Sequence, residues 1–206
     1  VDDVILSGGD PLYAPESCMQ IIKGLRTIDS IKVVRIGTRL PIHAPKSIKA
    51  PRIAALLEEF RKSAGSFMTY VLVHVNHSDE LDEDVIEALR ILRSYNFPVL
   101  SQSVFLKDVN DNETVLETLF KKLYYLGVVP YYIYRCDYVK GLERFVCDME
   151  DERRIMTSLR ERMSGIALPT YIADVNGIGK IPVPLGFWDM TDLKYCRDYT
   201  GATIQL

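Results

Sequence analysis

Short runs of β-branched and apolar residues alternate along the chain with longer stretches of helical periodicity. Residues 4–6, 32–36, 68–75, 98–104, 128–134 and 170–173 predict strands. Residues 15–26, 52–62, 82–95, 113–126 and 150–163 predict helices. Met19, Ile22 and Leu25 fall on one face of the first helix, and Val85, Ile86, Leu89 and Leu92 on one face of the third. Pro41, Pro45 and Pro51 predict a broken loop before the second helix. Strand–helix repeats five times before a final strand, which argues for parallel strands joined by helical crossovers.

Polar and glycine-containing residues gather at the strand ends: Ser7–Asp10, Gly37–Arg39, His74–His77, Gln102 and Asp137. A barrel brings all such ends to one mouth, whereas a doubly wound sheet spreads them along an edge with one favoured crevice. Functional-looking residues at nearly every strand end fit the barrel better.

Charge then removes some function classes. Across 206 residues, 25 Lys+Arg against 28 Asp+Glu give a formal charge of −3, without the basic footprint of a nucleic-acid binder. No apolar run approaches the roughly 18 residues that cross a bilayer. Four cysteines, at 18, 136, 147 and 196, have neither disulfide-framework nor metal-ligand spacing. A reducing, cytoplasmic setting is the expectation. The chain begins at Val1, without Met, in what reads as the body of a strand, so we expect an N-terminally truncated fragment.

Ser7-Gly8-Gly9-Asp10 can offer backbone groups to an ammonium or carboxylate, or be a plain βα turn capped by Asp10. His74 and His77, at i and i+3 of a strand end, point to opposite faces, which argues against a shared metal. One imidazole can bond a ligand, or be structural. Asp137 and Asp174 each follow a strand; together they can clamp an ammonium, or each can cap a loop. Lys180, behind Asn176-Gly177-Ile178-Gly179 and before Pro182, is placed in a mobile loop. It can form a Schiff base with an aldehyde cofactor, or be a solvated surface lysine. The spacing is not that of a phosphate-binding P-loop.

Taken together the segments are far more specific. VILSGGDPL (4–12), VVRIGTRLPIHAP (33–45), HVNHSDE (74–80), QSVFLKDVND (102–111), PYYIYRCDYVKGLERF (130–145), SGIALPTYIAD (164–174) and GKIPVP (179–184) resemble, in order, the lysine 2,3-aminomutase family of radical S-adenosylmethionine (SAM) enzymes. The resemblance implies an α/β fold, a partial (β/α) barrel of parallel strands that here lacks its first strand and cluster loop. It implies residues 1–186 as that barrel and 187–206 as a C-terminal extension and candidate oligomerisation arm.

It further implies three cofactors: a [4Fe–4S] cluster, SAM and pyridoxal 5′-phosphate. Ser7, Gly8, Gly9 and Asp10, with His74 and Gln102, match SAM contacts. Lys180 matches the pyridoxal lysine and is the expected catalytic residue. Asp137 and Asp174 match the pair that grips the side-chain ammonium of substrate lysine. The implied reaction is an isomerisation that moves the α-amino group of L-lysine to the β-carbon. An electron-donating reductase or flavodoxin and a homo-oligomeric state are implied as well, with no nucleic acid and no membrane.

Two departures matter. The C-x-x-x-C-x-x-C motif that ligates the family's cluster is absent, and so are the family's neighbouring arginines, which bind the pyridoxal phosphate and the substrate carboxylate. No metal ligands are therefore expected in residues 1–206, and this stretch alone is expected to be inactive and prone to aggregate. The loop from Asp174 to Lys180 is one residue shorter than in the lysine enzymes, with Ile178 in place of a glycine. Alternative readings are a lysyl 2,3-aminomutase acting on elongation factor P, and a non-radical Schiff-base or degenerate barrel.

Overall fold

The computed structural model describes residues 1–188, 190, 195–198 and 200–205. The strands are β1 (Asp3–Leu6), β2 (Val33–Thr38), β3 (Met68–His74), β4 (Val99–Val104), β5 (Val129–Tyr134), β6 (Thr170–Val175), β7 (Gly179–Pro182), β8 (Tyr195–Arg197) and β9 (Thr203–Gln205). The helices are α1 (Pro15–Leu25), α2 (Leu40–His43), α3 (Pro51–Lys62), α4 (Glu83–Ser94), α5 (Glu113–Tyr125) and α6 (Met149–Arg162). The strand order of the main sheet is β1-β2-β3-β4-β5-β6-β7, the order of the chain. A doubly wound sheet reverses its order at a switch point. No reversal occurs here, which decides for the barrel-type winding.

The chain divides into two compact units. One comprises Val1–Val75, Asp79–Gln102 and Tyr125–Val129; the other comprises Asn76–Ser78, Ser103–Tyr124 and Pro130–Leu206. In the first, β1, β2, β3 and β4 pair in parallel. Val34, Ile36, Val71 and Val73 are buried, as are Ile22 of α1, Leu56, Leu57 and Phe60 of α3, and Leu89 and Leu92 of α4. In the second, β5 and β6 are parallel while β7 returns antiparallel to β6. Leu116, Leu119 and Phe120 of α5, Met156 and Leu159 of α6 and Ile133 of β5 form its buried apolar centre. The helix faces follow from 3.6-residue periodicity, and local chemistry sets their starts. The Asp82 Oδ1 accepts from the N–H of Val85 at 2.9 Å, and the Asp148 Oδ1 from that of Glu150 at 2.8 Å.

Four expectations are corrected. The strand at 170–173 is not the last: it runs to Val175, and β7 follows it across a tight turn. That extension draws Asp174 into a strand and makes Lys180 a strand residue, not one in a mobile loop, because antiparallel pairing with β6 holds its backbone. The predicted strand at 32–36 continues to Thr38. The proline-broken loop contains α2 and a 3-10 turn at Pro45–Lys49, since proline suits a first helical turn, where its missing N–H has no partner to lose. Residues 189, 191–194, 199 and 206 of the predicted 187–206 arm lie outside the described residues; β8 and β9 form an antiparallel pair within it.

Candidate functional site

Two clusters gather the predicted site residues, one in each unit. In the first unit β1 ends at Leu6 and the chain turns through Gly8 (φ +82°) and Gly9 (φ +77°). Nothing lies within 4 Å of where a Cβ would stand on either, so the left-handed backbone, not crowding, is what requires glycine here. Asp10 closes the turn. Its Oδ1 accepts from the N–H of Leu12 (3.0 Å), its Oδ2 from the N–H groups of Arg39 (2.6 Å) and Leu40 (2.9 Å), and both oxygens lie 2.8 Å from the Thr38 hydroxyl. The carboxylate thereby bolts the end of β1 to the end of β2. A cavity of about 270 Å³ opens beside the turn, bordered by Leu6, Ser7, Gly8, Gly9, Cys18 and Ile21.

His74 ends β3 and stands in register with Gln102 of β4, while Thr38 pairs with Val73 one step earlier. The parallel register thus sets the end of β3 level with Gln102, two residues before β4 ends, and both His74 and Gln102 are half-buried. Beyond β2, Arg39 Nη2 pairs with Glu80 Oε2 at 2.9 Å.

In the second unit the β6–β7 ladder sets Asp174 opposite Lys180. The hairpin turns through Gly177 (φ +77°) and Gly179 (φ +101°), with the N–H of Ile178 donating to Val175 O at 2.9 Å. The Lys180 Nζ lies 5.2 Å from the ring centroid of Tyr134 and 6.0 Å from that of Tyr132, both on β5. Ring faces attract an ammonium at this range. Tyr132 stacks on Tyr131 and their hydroxyls are 2.7 Å apart. Burial raises the Tyr134 phenol, against a lowering from Lys180, so it stays protonated at neutral pH. Asp137 is exposed three residues past β5. The N–H of Arg135 donates to Ile172 O at 2.9 Å, which places Asp137 and Asp174 each two residues beyond one shared backbone bond.

Sequence reading had not singled out Tyr132 or Tyr134, and met Thr38 only within the strand-end group Gly37–Arg39. The Tyr132-Ile133-Tyr134 alternation was the available signal, since i and i+2 share a strand face. The cysteines do not form a metal centre: among the described residues no group of three or more His, Cys, Asp or Glu could hold a metal ion. Burial pushes the Cys18 thiol up to about 11 and that of Cys147 to about 12, so both are neutral thiols near pH 7.

The chain is 37% identical over 185 residues, 89% of its length, to the L-lysine 2,3-aminomutase of Clostridium subterminale. It is 36% identical over 178 residues, 86% of its length, to that of Escherichia coli. The chain is a homologue of the L-lysine 2,3-aminomutases. It spans 43% of the first relative and 50% of the second, about half the length of the curated relatives it matches. No family model matches it. In fold this aminomutase homologue resembles a radical SAM methyltransferase from Sphaerobacter thermophilus, with a TM-score of 0.58 at 17% identity, over 84% of this chain and 51% of that one. It also resembles a domain of pyruvate-formate lyase-activating enzyme from Bacteroides vulgatus, with a TM-score of 0.54 at 17% identity, over 83% and 99% of the two chains. The fold is accordingly the partial barrel of radical SAM proteins.

Proposed function

We propose that this chain carries the SAM-binding turn and the pyridoxal and substrate residues of a radical SAM 2,3-aminomutase acting on L-lysine. The pairing of Lys180 with Asp174 above the Tyr132 and Tyr134 rings carries the reading. It supplies a primary amine, a carboxylate and an aromatic floor in one hairpin.

Pyridoxal phosphate, when bound, supplies a conjugated π system able to delocalise an electron next to the migrating nitrogen. Lys180 would hold its aldehyde carbon. The Tyr132 and Tyr134 rings flank an otherwise exposed lysine amine and attract it as an ammonium. Asp137 and Asp174 accept charge-assisted hydrogen bonds from the substrate's side-chain ammonium and so select a cationic side chain. Gly8 and Gly9 offer backbone groups to the amino end of SAM, with His74 and Gln102 as further contacts. The described residues do not fit a [4Fe–4S] cluster, and no step is assigned to one. A reductase or flavodoxin as electron donor and a homo-oligomeric, cytoplasmic protein complete the proposal.

The test is direct. Pyridoxal phosphate is added to the chain, the adduct is reduced with borohydride, and the modified peptide is mapped by mass. Modification at Lys180, abolished in Lys180→Ala, supports the reading. Uptake that is indifferent to that substitution overturns the pyridoxal role.

A further inference from the structure

Three side chains outside the proposed chemistry meet inside the second unit. Glu152 of α6 is 0% exposed. Its Oε2 accepts a hydrogen bond from the Tyr171 hydroxyl on β6 and lies 3.5 Å from the Nε of Arg135, the residue after β5. The Nη2 of Arg135 also donates to Cys147 O at 3.4 Å. Two further atoms of the group, Arg135 Nη1 and Glu152 Oε1, are buried without a hydrogen-bond partner. One is a donor and the other an acceptor, the combination a single buried water satisfies.

Such a group is a poor device for stability. Desolvating a carboxylate and a guanidinium offsets most of their attraction, and apolar side chains of similar volume serve as well or better. Its location suggests another purpose. Arg135 sits two residues before Asp137, and its N–H is bonded to Ile172, two residues before Asp174. Tyr171 adjoins that same bond. Glu152 therefore grips, from one helix, both backbone points from which the two aspartates depart.

We propose that Glu152 is a positioning residue that sets the spacing of Asp137 and Asp174 through Arg135 and Tyr171. This rests on the reading of those aspartates as ammonium ligands. Arginine and tyrosine hold the strand ends by hydrogen bonds of fixed direction, a constraint that apolar packing does not supply.

The test compares the full chain with a triple variant, Arg135→Met, Glu152→Met and Tyr171→Phe, which removes every polar side chain of the group and takes from the Cys147 carbonyl only its long 3.4 Å donor. The variant is expected to melt at or above the wild-type temperature. Amide exchange at 136–139 and 173–176 should quicken about tenfold. Preference for lysine over norleucine, which lacks the side-chain ammonium, should fall about tenfold in titrations that follow the pyridoxal absorbance. A folded variant that keeps both the exchange pattern and the preference overturns the proposal alone. A wild-type chain without lysine preference overturns the ammonium reading and the proposal with it. If the triple variant does not fold, Glu152→Gln serves: it keeps an acceptor for Tyr171 but leaves Arg135 without its counter-charge. Faster exchange confined to 136–139 supports the proposal, and unchanged exchange there overturns it.

Discussion

Lys180 stands directly across the β6–β7 ladder from Asp174, so the residue proposed to hold the cofactor and one proposed to hold the substrate share a single hairpin register. A one-residue slip would send the lysine to the opposite face. Gly177 and Gly179, both in left-handed conformation, fix the turn that prevents it. The hairpin also accommodates Ile178, whose side chain is exposed.

Asp174→Asn should weaken lysine binding about tenfold while leaving pyridoxal attachment at Lys180 intact, because a charge-assisted bond loses its charge but not its shape. Titration with lysine and norleucine in parallel checks this. Equal weakening for both ligands contradicts the assignment.

Asp10 is the principal tie between the ends of β1 and β2. Asp10→Asn puts an amide where two oxygens accept from three N–H groups and a hydroxyl. Whichever way the amide faces, a donor meets a donor. We expect a loss of about 2 kcal/mol in urea denaturation. Thr38→Val, which removes one donor to the same carboxylate, should cost about 1 kcal/mol. A neutral result for Asp10→Asn would show that the bolt is dispensable.

The cysteines should separate by reactivity. Burial holds the Cys18 thiol at about 11 and the Cys147 thiol at about 12, leaving little thiolate near neutral pH. Cys196 is half-exposed. Alkylation of the native chain followed by peptide mapping should find Cys196 modified first, with Cys18 and Cys147 reacting only after denaturation.

Glu152 gives the stability a pH dependence of known sign. Burial raises its carboxyl, while Tyr171 and Arg135 oppose the rise without cancelling it. The folded chain thus keeps a proton that the unfolded chain releases. Its contribution is complete below the ordinary carboxylate range and is lost as pH rises through the raised value. Denaturation midpoints of wild type and Glu152→Gln, measured from about pH 4 to about pH 8, should show the wild type losing ground to the variant as pH rises. Parallel profiles would contradict the assignment.

Asn110 belongs with the residues whose role the fold reveals. It is wholly buried and spans the end of β4: its Nδ2 donates to Asn76 O and Val104 O at 2.8 Å each, and its Oδ1 accepts from Leu106 N–H at 2.7 Å. Asn110→Ala removes three hydrogen bonds to the backbone and should cost about 3 kcal/mol, read from the shift in denaturation midpoint.

The sequence by itself determined the strand–helix alternation, because period-2 and period-3.6 hydrophobic patterns are local properties that each segment carries alone. It also pointed to Ser7–Asp10, His74, Gln102, Asp137 and Asp174 near strand ends and to Lys180 behind a glycine-rich turn, since all lie in an ordered set of motifs. The tertiary structure decided which residues face one another. Only the β6–β7 register sets Lys180 against Asp174, and only the packing of α6 brings Glu152 to Arg135 and Tyr171, across 17 and 19 residues of chain. Only the approach of β2 to the end of β1 turns Asp10 from a local cap into a tie spanning 28 residues. Hydrogen bonds of this kind join groups distant along the chain, and their partners are fixed by the packing of whole elements, which no window of sequence contains.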